Sequence, residues 1–172
     1  MNLYTERLLL RALTPAQLRS WAEDVHALAE QLDCVYRAEP VEDLFRDIIL
    51  KQAEAAEKDA ARYVWHSFFW LIRKTDRVVV GSADFKAPPD ENGVTEIGYG
   101  LGKEHEGHGY MGEAVRAMCA WALGEGGASA IVAETLRENW PSQRLLTRCG
   151  FRRYREEQTL WWRLDAPPEQ RP

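Results

Sequence analysis

The chain has 172 residues, 45% of them hydrophobic and 28% charged, with a formal net charge of -5. That length supplies one domain with its own core, and the composition is globular rather than disordered. The acidic balance argues against nonspecific binding to nucleic acid, and no apolar run, residues 68–72 included, is long enough to span a bilayer.

Residues 8–13 read as a first strand. Thr14-Pro15 is a helix start, a capping residue followed by proline at the first helical position. Leu18, Trp21, Val25, Leu28 and Leu32 then recur at helical spacing. A break at residues 38–40 precedes a second helix, which carries Leu44, Phe45, Ile48 and Ile49 and runs on to Arg62. From Trp65 the character changes, because WHSFFWLIR is aromatic and branched, as strands are. Thr75-Asp76-Arg77 turns that strand into VVVGSADF, its hairpin partner. A loop over residues 88–93 leads to the strand VTEIGYGL, and EHEGHGYMGEA, residues 104–114, follows it. Ala114, Val115, Met118, Cys119, Ala122 and Leu123 form the buried stripe of the next helix. AIVAETL is another strand, and a short helix runs from Pro141-Ser142 to Arg148, stopped by Gly150. FRRYREEQTLWWRL closes the chain as one or two strands.

This order predicts an α/β (α+β) domain over residues 1–165, with helices packed on one central sheet, and a loose tail over residues 166–172. The final strand, LWWRL, is expected at a sheet edge, where it invites a homodimer. Cys34, Cys119 and Cys149 are odd in number, widely spaced and without a CxxC pair, which fits buried thiols in a reducing compartment. Glu6 and Arg7 stand where a signal peptide needs an apolar run. The expectation is a cytoplasmic protein without membrane or nucleic-acid partners.

EHEGHGYMGEA admits three readings. As a metal site it offers His105 and His108, but H-E-G-H is not the H-E-x-x-H that aligns two histidines on a helix face, and His26 and His66 lie in unrelated segments. As a phosphate cradle it places Gly107, Gly109 and Gly112 between a strand and a helix, where free N–H groups and the helix dipole favour an anion. It is neither a Walker A loop nor a dinucleotide fingerprint. As a plain turn it needs no ligand.

A second stretch, IVAETLRENWPSQRLLTRCGF at residues 131–151, narrows the choice. Together the two stretches resemble the pyrophosphate-binding motif and the N-x-x-S-x-x-L-x-x-x-x-G-F segment of the GNAT acetyltransferase superfamily. TERLLLRAL and IGYGL resemble its RimJ/RimL-type branch, the ribosomal-protein serine and alanine acetyltransferases. The resemblance covers about residues 3–163. It implies a mostly antiparallel twisted sheet of six to seven strands with helices on both faces.

The resemblance also implies an acetyl-CoA-dependent N-acetyltransferase that passes acetyl directly to a primary amine, a protein N-terminus or a small amine, and leaves CoA as product. A noncatalytic acyl-CoA-binding sensor of the same fold is the alternative. The pyrophosphate falls to residues 107–112, that is Gly107, His108, Gly109, Tyr110, Met111 and Gly112. The pantetheine falls to Tyr99, Gly100, Leu101 and Asn139. Glu134 is the first candidate base, with Glu96 beside it, because the amine must lose a proton before it attacks. Ser142 is the candidate to bond the sulfur or relay a proton, since Leu146 stands where many relatives carry tyrosine. Arg148, with Arg144, Arg152, Arg153 and Arg155, is a candidate for the 3′-phosphate. Glu106 and Met111 depart from the family pattern, with His108 as a compensating charge. The acceptor is expected between residues 14–62 and the loop 86–93, with Trp21, Tyr36, Trp65, Trp70 and Trp140 as candidate lining.

Overall fold

In the computed structural model, residues 1–167 are described. The elements are β1 (Asn2–Tyr4), β2 (Leu8–Ala12), α1 (Pro15–Glu23), α2 (Val25–Gln31), β3 (Val35–Tyr36), α3 (Asp43–Lys58), β4 (Phe68–Arg73), β5 (Val78–Phe85), β6 (Val94–Leu101), α4 (Tyr110–Leu123), β7 (Ala130–Thr135), α5 (Trp140–Arg148), β8 (Arg152–Glu156) and β9 (Leu160–Asp165). Two 3-10 turns, Ala60–His66 and Lys103–His105, join them. The nine strands form one sheet in the order β1-β2-β4-β5-β6-β7-β9-β8, with β3 added on β5. Among the described residues only β6–β7 and β3–β5 pair in parallel.

The sheet is sandwiched by helices because its strands alternate. Leu8, Leu10, Phe69 and Leu71 pack towards α4 and α5, with Val115, Met118 and Leu146. Phe68, Trp70 and Ile72 point the other way, towards α1, α2 and α3, with Leu18, Trp21, Leu28 and Ile49. Trp21 and Trp70 are fully buried and meet edge to face at 5.7 Å. They are core, not acceptor lining.

Thr14 starts α1 with a reciprocal capping box. Its hydroxyl accepts from the Gln17 N–H, and the Gln17 side chain accepts from the Thr14 N–H. The helix does not run on to Leu32 as the periodicity predicts. The Asp24 N–H closes α1 while its carboxylate accepts from the N–H groups of His26 and Ala27, opening α2. Strand β4 begins at Phe68 rather than Trp65. Trp65 sits in the 3-10 turn, against Phe85 and Trp121 at 5.0 and 4.8 Å.

The sheet has more strands than the six or seven expected, since β1 and β3 are too short to show a period and the last stretch splits into β8 and β9. LWWRL is not an edge. Strand β9 lies between β7 and β8, and β8 is the exposed one. Of the expected tail, Ala166 is buried and donates its N–H to the Ser129 carbonyl, while residues 168–172 lie outside the described residues.

Candidate active site

Strands β6 and β7 start side by side and then part. Their register runs Val94↔Ala130, Thr95↔Ile131, Glu96↔Val132 and stops there. Beyond Glu96, β6 keeps β5 on one side only, through Ile97↔Phe85 to Leu101↔Gly81. The backbone groups of residues 97–101 that face β7 therefore border a gap, with polar groups available to a bound chain.

The turn EHEGHGYMGEA lies at the far end of β6. Gly107 and Gly109 have φ of +78° and +80°, a region that glycine enters without strain. Gly109 is the N-cap of α4, and no side chain among the described residues caps it. The first-turn N–H groups are thus free to meet an anion. A Cβ at Gly107 would meet nothing within 4 Å, so the surface over the turn is open.

Arg7 reinforces this turn. It donates to the His108 carbonyl at 2.9 Å and to Glu113 at 2.8 Å, and its guanidinium lies 4.7 Å from the centre of the Tyr110 ring. Arg116 lies on the other side, 3.6 Å from a Cβ built on Gly112. Sequence reasoning singled out neither arginine for the site, although Arg7 stands in the quoted stretch TERLLLRAL. His108 is exposed and stacks on Tyr110, whereas His105 is buried under the turn. Glu106 is exposed and Met111, in the first turn of α4, is buried in the core. Met111 contributes its N–H to the turn and its side chain to packing. Among the described residues no three His, Cys, Asp or Glu side chains converge as metal ligands.

Helix α5 faces the gap from the opposite side. Asn139 caps it, accepting from the Ser142 N–H at 3.2 Å, so the cap is Asn139 and Ser142 is free for other work. The Ser142 hydroxyl lies 2.7 Å from the Tyr99 hydroxyl. Burial, eased by that bond, pushes the Tyr99 phenol up to about 12, so it stays protonated at neutral pH. Buried Gln143 anchors the loop before the helix through the Leu136 and Arg137 carbonyls. Arg148 sits apart, on a shallow groove with Trp140, Arg144 and Trp162.

The candidate bases share one sheet face with Gly98 and Gly100, the face opposite Ile97, Tyr99 and Leu101. Glu96 is paired with Lys86. Glu134 is exposed and accepts from the Thr159 hydroxyl at 2.6 Å. Extending the register places Glu134 across the gap from Gly98.

On the same face, between α3 and strands β5 and β6, lies a cavity of 580 Å³. Two carboxylates that sequence reasoning missed line it. Asp84 is buried beside Gly98, its Oδ1 2.7 Å from where a Cβ would stand there. Glu39 is half-buried and occupies the space over Gly100. Burial raises both carboxyls, Asp84 to about 6 despite a bond from Gln52. No short-range spacing announces Glu39, Gln52 and Asp84 as a set, because they come from three separate segments.

Comparison with known proteins supplies the context for this geometry. Residues 7–152 match the family model described as the acetyltransferase (GNAT) domain. The Bacillus subtilis (strain 168) protein named as the uncharacterized N-acetyltransferase YjdG is 35% identical over 108 residues, 62% of this chain and 59% of that protein, so the match spans less than two thirds of its length. The ribosomal-protein-S5-alanine acetyltransferase of Vibrio fischeri superposes with a TM-score of 0.71 at 16% identity over 100% of both chains. RimL, a ribosomal L7/L12 alpha-N-protein acetyltransferase solved with coenzyme A, superposes with a TM-score of 0.69 at 15% identity over 96% of this chain and 98% of its own.

Proposed function

We propose, from the premise that this chain belongs to the GNAT acetyltransferase family, that it is an N-acetyltransferase in which a primary amine takes the acetyl group of acetyl-CoA at the gap between β6 and β7. The observation that carries this reading is the meeting of two features at one place. An uncapped, glycine-built start of α4 adjoins a stretch of β6 with no strand on its open side. The first suits a pyrophosphate and the second an extended amide chain.

Acetyl-CoA supplies the acetyl group as a thioester, and the amine lone pair displaces the CoA thiol from it. The residues of this chain bind and move protons. The N–H groups of Gly107 to Gly112 hold the pyrophosphate, with Arg7 and Arg116 as nearby positive charge. The open edge at Tyr99, Gly100 and Leu101 holds the pantetheine, with Asn139 fixing the opposite wall. Glu134, across the gap from Gly98, takes the proton that the ammonium must lose. Glu96 is committed to Lys86 and serves as a second choice. The Tyr99–Ser142 hydroxyl pair delivers a proton to the departing sulfur, which compensates for Leu146 at the position where many relatives carry a tyrosine.

The acceptor is a primary amine, either a protein N-terminus, in keeping with the name of RimL, an alpha-N-protein acetyltransferase, or a small amine. The test is CoA titration of the full chain by calorimetry, followed by thiol release from acetyl-CoA across a panel of amines. Binding plus turnover that falls at least tenfold in Glu134→Gln supports the enzyme. Tight CoA binding with no turnover on any amine supports a noncatalytic sensor instead.

A further inference from the structure

The floor of the 580 Å³ cavity carries more hydrogen-bond acceptors than donors, with two carboxylates and an amide oxygen against the single hydroxyl of Ser82. Asp84 receives one bond, from Gln52 Nε2 at 2.5 Å. An ionised carboxylate accepts only, so it fixes the Gln52 amide with its nitrogen inward. The other end of that amide, Oε1, is buried and has no hydrogen-bond partner among the described residues, on a residue only 9% exposed that lines the cavity. An orphaned buried acceptor is rare and destabilising unless a ligand satisfies it. Glu39 stands next to this pair, over Gly100, while Asp84 stands over Gly98. Two residues of strand separate those positions by about 7 Å, so one small cation fits between the two carboxylates.

The neighbouring cations do not fill this place. Lys86 is held by Glu96, and His66 faces Asp59 at 3.2 Å. Lys51 stands on the exposed side of α3 at the rim. Above the floor the walls are apolar, formed by Phe45, Ile48, Ala55 and Phe68. An alkylammonium matches all of this, with three N–H donors, no acceptor and an apolar stem.

We propose that Asp84, Gln52 and Glu39 form a cage for a second, non-reacting ammonium of the acceptor, so that the substrate class is a small aliphatic amine carrying two cationic nitrogens. This rests on the reading of the β6–β7 gap as the site of acetyl transfer. One nitrogen enters the gap and loses its proton there. The other stays charged in the cage and fixes the reach of the first. A simple alkylamine or a neutral N-terminal peptide spends its only ammonium on the reaction and leaves the cage unfilled.

The experiment titrates 1,4-diaminobutane and n-butylamine calorimetrically into the full chain, with and without CoA, and measures kcat/KM for both and for a neutral peptide with a free N-terminus. The diamine is expected to bind at least tenfold more tightly than the monoamine and to give at least a tenfold higher kcat/KM. Glu39→Gln and Asp84→Asn are each expected to weaken diamine binding at least tenfold while CoA affinity holds within twofold. Equal affinity for the two amines, a better kcat/KM with the peptide, or diamine binding unmoved by both variants overturns the cage. If Asp84→Asn does not fold, Glu39→Gln, on a half-buried loop residue, decides alone. Failure of the acetyl-transfer reading looks different, since no amine then consumes acetyl-CoA while diamine binding is still measured directly.

Discussion

Replacing Tyr99 by Phe deletes one hydroxyl and keeps the ring that packs beneath α4. The lost contact with Ser142 is worth about 1 kcal/mol of stability. If the hydroxyl pair supplies the proton to the thiol, kcat in Tyr99→Phe falls about 100-fold while KM for acetyl-CoA stays put, which steady-state kinetics resolves. Asp84 makes a separate prediction at this scale. Its carboxyl is raised by burial to about 6, above the usual carboxylate range. A raised carboxyl favours the folded state while it is neutral, so its contribution is complete near pH 4 and is lost as pH rises through 6. Asp84→Asn should therefore match the native chain in thermal stability near pH 4 and exceed it at pH 8, by roughly 2–3 kcal/mol. Equal melting curves at both pH values would count against a charged, buried Asp84.

At the scale of elements, the start of α4 is the most exposed to single changes. Gly109→Ala places a Cβ at φ +80°, which costs about 1–2 kcal/mol. It also brings that carbon within 3.5 Å of Arg7 Nη2. The melting temperature should drop by several degrees and CoA affinity by about tenfold, read by scanning and titration calorimetry. Thr14→Ala removes one arm of the capping box and should cost about 1 kcal/mol without changing CoA affinity. These elements also show what a sequence reveals. The start of α1 was legible because Thr14, Pro15 and Gln17 are all written locally. The α1–α2 break was not, because Asp24 interrupts an otherwise perfect helical period by hydrogen bonding alone. The turn at residues 107–112, Ser142 and Tyr99 were legible as separate positions. Their meeting was not, because the contact between Tyr99 and Ser142 spans 43 residues of chain. Asp84, Gln52 and Glu39 carried no local signal at all, since only the sheet and α3 bring them together.

At the scale of the whole molecule, the sheet divides the interior of the described residues into two cores that share no α-helix. Truncating Trp70 to Ala opens the core under α1 and α3 and should cost about 3–5 kcal/mol, measured by denaturant unfolding. The loss should disturb the 580 Å³ cavity, which α3 walls, more than the turn at α4. Among the described residues no helix is long and apolar enough to cross a membrane. The fold class was legible because each face of the sheet is written in alternating residues of β2 and β4, whereas the strand count was not, because two-residue and three-residue strands carry no pattern.

The parting of β6 from β7 has a mechanical meaning for the molecule as a whole. Between the block ending in β6 and the block of β7, β9 and β8, only three register pairs stitch the sheet together. A thioester cosubstrate bound along residues 97–101, as proposed above, would be a keystone, an extra strand that locks two half-sheets into one. Saturating CoA at 100 times its Kd should add about 2.7 kcal/mol to global stability. The locking predicts more than that uniform gain. Amide exchange should slow most at Gly98 to Leu101 and in β7, so that the protein unfolds as a single unit only when its cosubstrate is in place.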